Sequence, residues 1–218
     1  MKAIFFDLDN TLYDVQKYHT RAFEKISTYL SQKHGISNSD IMQQLVDIWN
    51  EKTSMYSHLF DDFLERLNIK NEDVKNLIDI FNSQEIKNSD FYSDAFDVVT
   101  KLKNYYKLGI ITDGTVSRQN RKISTSKFQQ LFDVIIFTKI FEPKPSILSF
   151  QKATEQIQVK PSDSVYVGDN PFLDFKGPKT IGMYTIRILR GEFMNISENK
   201  FIDKTIKNLN ELHKIFHK

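Results

Sequence analysis

The sequence predicts an α/β fold: a doubly wound, Rossmann-like parallel sheet with a four-helix cap domain inserted after its first strand. Three observations carry that expectation. Five short, nearly continuous apolar stretches rich in β-branched residues suit strands covered on both faces rather than an alternating, half-wet sheet. Helical periodicity separates most of them, as parallel crossovers require. One long interval, residues 14–89, carries four helical patterns and no strand.

The first strand is expected over Ala3–Phe6 and runs into Asp7 and Asp9. Two carboxylates that close repel, and desolvating them is costly, so the pair points to a bound divalent metal or to carboxylates with divided roles. The inserted helices present Val15, Tyr18, Ala22, Phe23, Ile26 and Leu30; then Ile41, Leu45, Ile48 and Trp49; then Leu59, Phe60, Phe63 and Leu67; then Val74, Leu77, Ile78 and Phe81. Spacings of three and four mark each apolar face, and Gly35 with the polar stretches 37–40 and 68–73 supplies caps and turns. Phe96, Val99 and Leu102 mark a helix before the second strand, Leu108–Thr112, which ends in Thr112-Asp113-Gly114. The third strand, Val134–Thr138, is followed by Lys144 between Pro143 and Pro145. Phe150, Ala153 and Ile157 precede the fourth strand, Ser164–Val167, which ends in Gly168-Asp169-Asn170 with Asp174 just beyond. A fifth strand, Met183–Ile188, and a last helix carrying Leu209, Leu212, Ile215 and Phe216 complete the chain. The expected division is a core of residues 1–13 and 90–218 and a helical domain of 14–89.

Composition narrows the class. With 218 residues, 40% of them hydrophobic and 13% aromatic, the chain can bury a large core. Thirty Lys and Arg against 28 Asp and Glu give a net charge of +2 without a dense basic run, which argues against a nucleic-acid partner. The absence of cysteine excludes disulfides, thiolate metal sites and Cys nucleophiles. The apolar run before Asp7 is too short for a signal peptide or membrane span, so a cytoplasmic protein with no membrane partner is expected, its oligomeric state unknown. His19, His34, His58, His213 and His217 show no metal-ligand spacing.

Each strand-end motif alone has an ordinary structural reading, as an Asx turn, a Thr-Asp-Gly turn, a surface lysine or a helix N-cap. Together they gain meaning, because open α/β sheets bind ligands at the carboxyl ends of their strands. A carboxylate there can attack phosphorus and form an aspartyl-phosphate. Such a site needs a cation such as Mg²⁺, which takes oxygen ligands of the kind Asp7 and Asp169 offer. Lys144 supplies fixed positive charge, while the Thr112 hydroxyl and the N–H groups of Asp113 and Gly114 suit phosphoryl oxygens. Asp9 is left as proton donor and acceptor.

At these residues the chain resembles the haloacid dehalogenase-like superfamily of aspartate-nucleophile hydrolases. Asp7-Leu8-Asp9-Asn10-Thr11, Thr112-Asp113-Gly114, Lys144, and Gly168-Asp169 with Asp174 are similar to its four motifs, and the helical insert looks like its first-position cap. The resemblance implies strand order 5-4-1-2-3, Asp7 as nucleophile and Asp9 as acid/base. It further implies Mg²⁺ held by the Asp7 side chain, the Asp9 backbone carbonyl and Asp169, with Asp174 orienting Lys144 or a water on the metal. The acid/base aspartate separates phosphoryl transfer from dehalogenation and phosphonate cleavage, as the family implies. Asp113 stands where many relatives have Asn.

The expected activity is therefore Mg²⁺-dependent hydrolysis of a small phosphorylated metabolite. A sugar phosphomutase and a non-catalytic binding module of the same fold are the alternatives. Substrate choice is expected to fall to the cap, with Tyr13, Tyr18, His19, Arg21 and Arg118 as candidates and either arginine available for a second anionic group. Trp49 is expected to pack the cap interior.

Overall fold

The computed structural model describes residues 1–52, 56–125 and 127–216. Six strands form one parallel sheet in the order β3-β2-β1-β4-β5-β6: β1 Ala3–Phe6, β2 Lys107–Thr112, β3 Val134–Phe137, β4 Ser164–Gly168, β5 Tyr184–Ile188 and β6 Lys204–Ile206. The first five take the order that the resemblance implies. β6 was not foreseen: it has three residues, of which only Ile206 is buried, so it carries no apolar run to read.

β1 lies at the centre because all four of its residues are fully buried and hold both neighbours in register, Phe6 opposite Ile110 of β2 and Val167 of β4. The Asp7 amide extends that ladder by donating to the Val167 carbonyl at 2.8 Å. Helices α5 (Ala95–Lys103), α6 (Val116–Ser124), α7 (Leu148–Gln156), α8 (Lys176–Thr180) and α9 (Glu211–Phe216) belong to the same unit. One face of the sheet packs Phe5, Ile111, Val134, Ile136 and Tyr166 against Phe150, Ala153 and Ile157 from α7 and its end. Alternation sends Phe6 to the other side, edge-on to Phe132 at 6.4 Å, with Phe128 stacked on Phe91 at 4.4 Å nearby in the same aromatic series. Phe96 of α5 is 42% exposed; Ala95, Val98, Val99 and Leu102 form the buried face instead.

Beyond β1 the chain turns sharply. The Leu8 carbonyl accepts from the amides of Leu12 and Tyr13, both at 2.9 Å, and Asn10 takes φ 54°, a left-handed conformation that Asn tolerates. Tyr13 bridges to Phe91, and the Tyr92 amide donates to Leu12 at 2.9 Å. The turn that carries Asp9 is thereby pinned to the segment that re-enters the sheet unit.

The chain divides into two compact units, Met1–Val15 with Ile86–Lys218, and Gln16–Glu85. The second is helical: α1 (Val15–His34), α2 (Asn38–Lys52), α3 (Leu59–Arg66) and α4 (Val74–Asn82), numbered with the helices above in chain order. Its core is Phe23, Ile26, Leu30, Ile41, Leu45, Ile48, Leu59, Phe63, Leu64 and Leu77, largely the faces that the spacing predicts. Trp49 packs on the buried His19 at 4.1 Å between ring centres, inside this unit. Among the described residues no helix is long and apolar enough to cross a membrane.

Gly109 of β2 has no room for a side chain: an added Cβ would lie 2.5 Å from Phe5 Cδ1 and 2.8 Å from Val134 Cγ1. Gly109→Ala is expected to destabilise the fold by about 1–3 kcal/mol through overpacking, read as a lower denaturant midpoint; an unchanged midpoint would contradict this packing.

Candidate active site

The carboxyl ends of β1, β2 and β4 gather the charged residues that the strand-end motifs single out. The Lys144 ammonium is buried and donates to Asp7 Oδ1 at 2.7 Å, Asp174 Oδ1 at 2.7 Å and the Tyr166 hydroxyl at 3.2 Å. Tyr166, fully buried on β4, donates in turn to Asp174 Oδ1 at 3.1 Å. The second Asp174 oxygen accepts the Asn170 amide at 2.8 Å. Gly168 makes room for that carboxylate, since a Cβ there would lie 2.5 Å from Asp174 Oδ2. Lys144 reaches inward because its loop is tied down: Asp113 Oδ1 accepts from the Lys144 amide at 3.2 Å and from the Thr138 hydroxyl. Asp113 thus ties that loop to the end of β2 through Oδ1.

Carboxylate oxygens of Asp7, Asp169 and Asp174 all lie within 4.8 Å of one another, and each residue is buried. Three carboxylates against the single ammonium of Lys144 leave a formal charge of −2. Burial pushes the Asp7 carboxyl up to about 8; Lys144 opposes that shift, and the charges of Asp174 and Asp9 add to it. Burial, then Asp174 and Asp7, likewise raise Asp169 well above the carboxylate range. The Lys144 ammonium, which burial alone would discharge, is held charged by Asp174 and Asp7. Asp169 Oδ2 is buried and has no hydrogen-bond partner among the described residues. An orphaned, inward-facing carboxylate oxygen in an all-oxygen set short of two positive charges fits a hard divalent cation such as Mg²⁺.

Asp9, two residues from Asp7, sits in the opposite environment. Its carboxylate receives Lys122 Nζ at 2.5 and 2.8 Å and Gln119 Nε2 at 3.1 Å. Burial pushes its pKa up, but the charge and hydrogen bonds of Lys122, with Arg118 and Gln119, hold it below its usual value. Lys122 is buried and lies 5.0 Å from the centre of the Tyr13 ring. Gln119 also donates to Thr112 Oγ1 at 2.6 Å and packs beside Gly114, which takes φ 103°.

Of the residues singled out in the sequence, Asp7, Lys144, Asp169 and Asp174 converge on one centre, and Thr112 and Asp9 are linked through Gln119. Arg118 is close enough to Asp9 to act on its charge. Tyr13 is buried, with its hydroxyl on Asp90 Oδ2 at 3.3 Å. Within the helical unit, Arg21 donates to the Glu85 carbonyl at 3.1 Å and the Tyr18 hydroxyl to the Phe81 carbonyl at 2.7 Å. No histidine joins the acidic cluster among the described residues; His217 lies outside them. Sequence reasoning missed Gln119, Lys122 and Tyr166. The first two lie on α6, whose buried residues are Gln119, Lys122 and Ile123, so apolar periodicity cannot reveal it. Tyr166 reads as one more apolar residue of a strand.

Comparison with known proteins places the chain in a family. Residues 4–188 match the haloacid dehalogenase-like hydrolase family. A glyceraldehyde 3-phosphate phosphatase of Methanocaldococcus jannaschii is 30% identical over 217 residues, covering 97% of this chain and 95% of the relative. An N-acylneuraminate-9-phosphatase of Rattus norvegicus is 25% identical over 202 residues, covering 84% of this chain and 80% of the relative. The crystal structure of a phosphatase from Thermococcus onnurineus superposes with a TM-score of 0.68 at 25% identity, covering 100% of this chain and 98% of the other.

The charge deficit has a measurable consequence. Asp7 binds its proton more tightly folded than unfolded, so it favours the metal-free fold at low pH, and that contribution is lost as pH rises from 3.8 through about 8. The stability of wild type minus that of Asp7→Asn should therefore fall across this window in EDTA, as read by urea midpoints, and Mg²⁺ should reverse the fall; a pH-independent difference would contradict the burial of the charge. Asp169→Asn should raise the thermal midpoint in EDTA and abolish the rise on adding Mg²⁺. A midpoint that falls in EDTA, or a retained Mg²⁺ response, would count against this metal site.

Proposed function

The chain belongs to the haloacid dehalogenase-like hydrolase family, and from that premise we propose that it is a Mg²⁺-dependent phosphomonoester hydrolase acting on small phosphorylated metabolites through an aspartyl-phosphate on Asp7. The observation that carries the reading is the placement of Asp7 against Lys144 beside Asp169, with a second carboxylate, Asp9, held apart in a cationic setting. Mg²⁺ held by Asp7 and Asp169 would neutralise the phosphoryl oxygens and let an anionic substrate approach.

The remaining work falls to the chain's own groups. Lys144 holds one Asp7 oxygen at 2.7 Å and so fixes the carboxylate for attack. The Thr112 hydroxyl and the N–H groups of Asp113 and Gly114 receive phosphoryl oxygens at the end of β2. As the Asp7 oxygen bonds to phosphorus, the ester P–O bond breaks and Asp9 gives its proton to the departing alkoxide. Asp9, now a carboxylate, takes a proton from water; that water attacks phosphorus, the P–O bond to Asp7 breaks, and inorganic phosphate leaves. The dianionic substrate supplies the charge that makes Asp9 protonated for the first half, and Lys122 favours the carboxylate needed for the second.

Glyceraldehyde 3-phosphate and N-acylneuraminate 9-phosphate, named in the relatives' descriptions, are both phosphate esters of a terminal alcohol on an oxygenated carbon chain. Such alkoxides leave poorly, which is where a proton donor matters most. On this reading the choice among such esters falls to residues outside the phosphoryl centre; Arg21 of the helical unit and Arg118 of the core are each a candidate cation for a second anionic group where the ester carries one.

Phosphate release measured with Mg²⁺ over a panel of triose, sugar and sialic acid phosphates tests the proposal. Wild type should release phosphate without a bisphosphate primer, which also separates it from a mutase. Asp7→Asn should lose more than about 1,000-fold, as removal of a covalent nucleophile does. A wild type no faster than Asp7→Asn on every ester would sink the reading and favour a binding module.

A further inference from the structure

Asp9 and Thr112 come from different strands, yet one helix holds both. We propose that Gln119 and Lys122 of α6 are positioning residues, setting the orientation of the Asp9 carboxylate and the direction of the Thr112 hydroxyl hydrogen; the inference rests on the phosphatase reading above.

Lys122 is the stranger of the two. Its side chain is 1% exposed, whereas that of Asp9 is 35% exposed. Burying an ammonium is costly, and a helix needing only an apolar contact at this position would be served better by Met or Leu. Lys122 Nζ instead contacts both Asp9 oxygens, at 2.5 and 2.8 Å, with the Tyr13 ring on its other side. A carboxylate held at both oxygens by one fixed donor has lost its rotational freedom.

Gln119 completes the arrangement. Its amide nitrogen has two hydrogens and two acceptors, Asp9 Oδ2 at 3.1 Å and Thr112 Oγ1 at 2.6 Å. The flipped amide would set its carbonyl oxygen against the Asp9 carboxylate, acceptor against acceptor, so the donor orientation is the one that this site supports. Because Thr112 accepts from Gln119, its own hydrogen must point elsewhere. Among the described residues it makes only a long bond of 3.3 Å to the Asp113 carbonyl, easily exchanged for a phosphoryl oxygen. Gln119 thus makes Thr112 a donor and Asp9 an aligned acid in one contact.

The two roles separate by leaving group. In the first half-reaction, which kcat/KM reports, Asp9 matters for alkyl esters and little for p-nitrophenyl phosphate, whose leaving group needs no proton, whereas its work as base in the second half and the contact of Thr112 with the phosphoryl group are common to both. Lys122→Met should lose about 100-fold in kcat/KM on an alkyl phosphate and less than about threefold in kcat/KM on p-nitrophenyl phosphate, with no further loss when added to Asp9→Asn. Gln119→Glu, the same shape with its donors removed, should slow both esters and raise KM for both. Lys122→Gln carries the same test if Lys122→Met does not fold, and thermal midpoints show whether folding has changed. Equal losses of kcat/KM for Lys122→Met on the two esters, no loss, or an added loss in the Asp9→Asn background would overturn the role of Lys122. Wild-type kinetics in Gln119→Glu would overturn that of Gln119. A wild type inactive on both esters sinks the phosphatase reading itself, and this inference with it, which is distinct from an active enzyme indifferent to the substitutions.

Discussion

Three buried carboxylates around one buried ammonium are the constraint on which the rest of this structure turns. Isolated, such a cluster would be expelled or protonated, because water is withdrawn from more negative charge than Lys144 can balance. The sheet is what enforces it. β1, fully buried and hydrogen-bonded on both sides, cannot move Asp7 away, and the Asp7 amide is locked to Val167 of the neighbouring strand. Asp174 is held by the Asn170 amide, the Tyr166 hydroxyl and Lys144 at once. Rigid elements thus fix charges that mutual repulsion would separate, and the cost must be offset by the large apolar core on both faces.

Two residues away the logic reverses. Asp9 and Lys122 form a self-neutral pair, so Asp9 is held low in pKa while Asp7 is pushed to about 8. Neighbouring carboxylates with opposite shifts are how one site divides labour between groups of identical chemistry. The separation comes from direction rather than distance. β1 sends Asp7 towards β4 and Lys144, whereas the turn at Asn10 sends Asp9 towards α6.

How much of this could be read in the chain follows from the same physics. Strands β1 to β5 announced themselves as short, mostly apolar and β-branched runs: β1 and β4 are buried throughout, whereas β3 alternates buried and half-buried residues and β5 stayed legible despite Thr185 and Arg187. The four helices of the insert did so by spacing, since each buries one stripe. The strand-end carboxylates and Lys144 stood out as charge placed where apolar runs stop. α6 did not, because its inner face is Gln119 and Lys122, and a helix that docks through polar atoms has the composition of a surface loop. Tyr166 failed for the converse reason: a tyrosine in a buried strand looks like packing, and only the position of its hydroxyl between Lys144 and Asp174 shows otherwise. Phe96 misled in a third way, being apolar and in phase yet 42% exposed, with an edge contact to Phe128. Periodicity reports where oil meets oil, so the polar contacts that build a site stay silent in it.

The two charge clusters also differ in what they ask of their surroundings. The Asp7 centre is incomplete by two charges and is completed only from outside the chain, by a cation and a substrate. The Asp9 pair is complete in itself and is disturbed when a dianionic group arrives, because Lys122 then has a second anion to attract. Substrate binding therefore relieves strain at one cluster and creates it at the other, within a single strand end. A core so arranged responds to the phosphoryl group and to the basicity of the leaving oxygen, both features shared by many metabolites. It contains nothing that would tell one carbon skeleton from another, so on the proposed reading discrimination must come from residues outside these clusters, while the chemistry stays the same whatever those residues become.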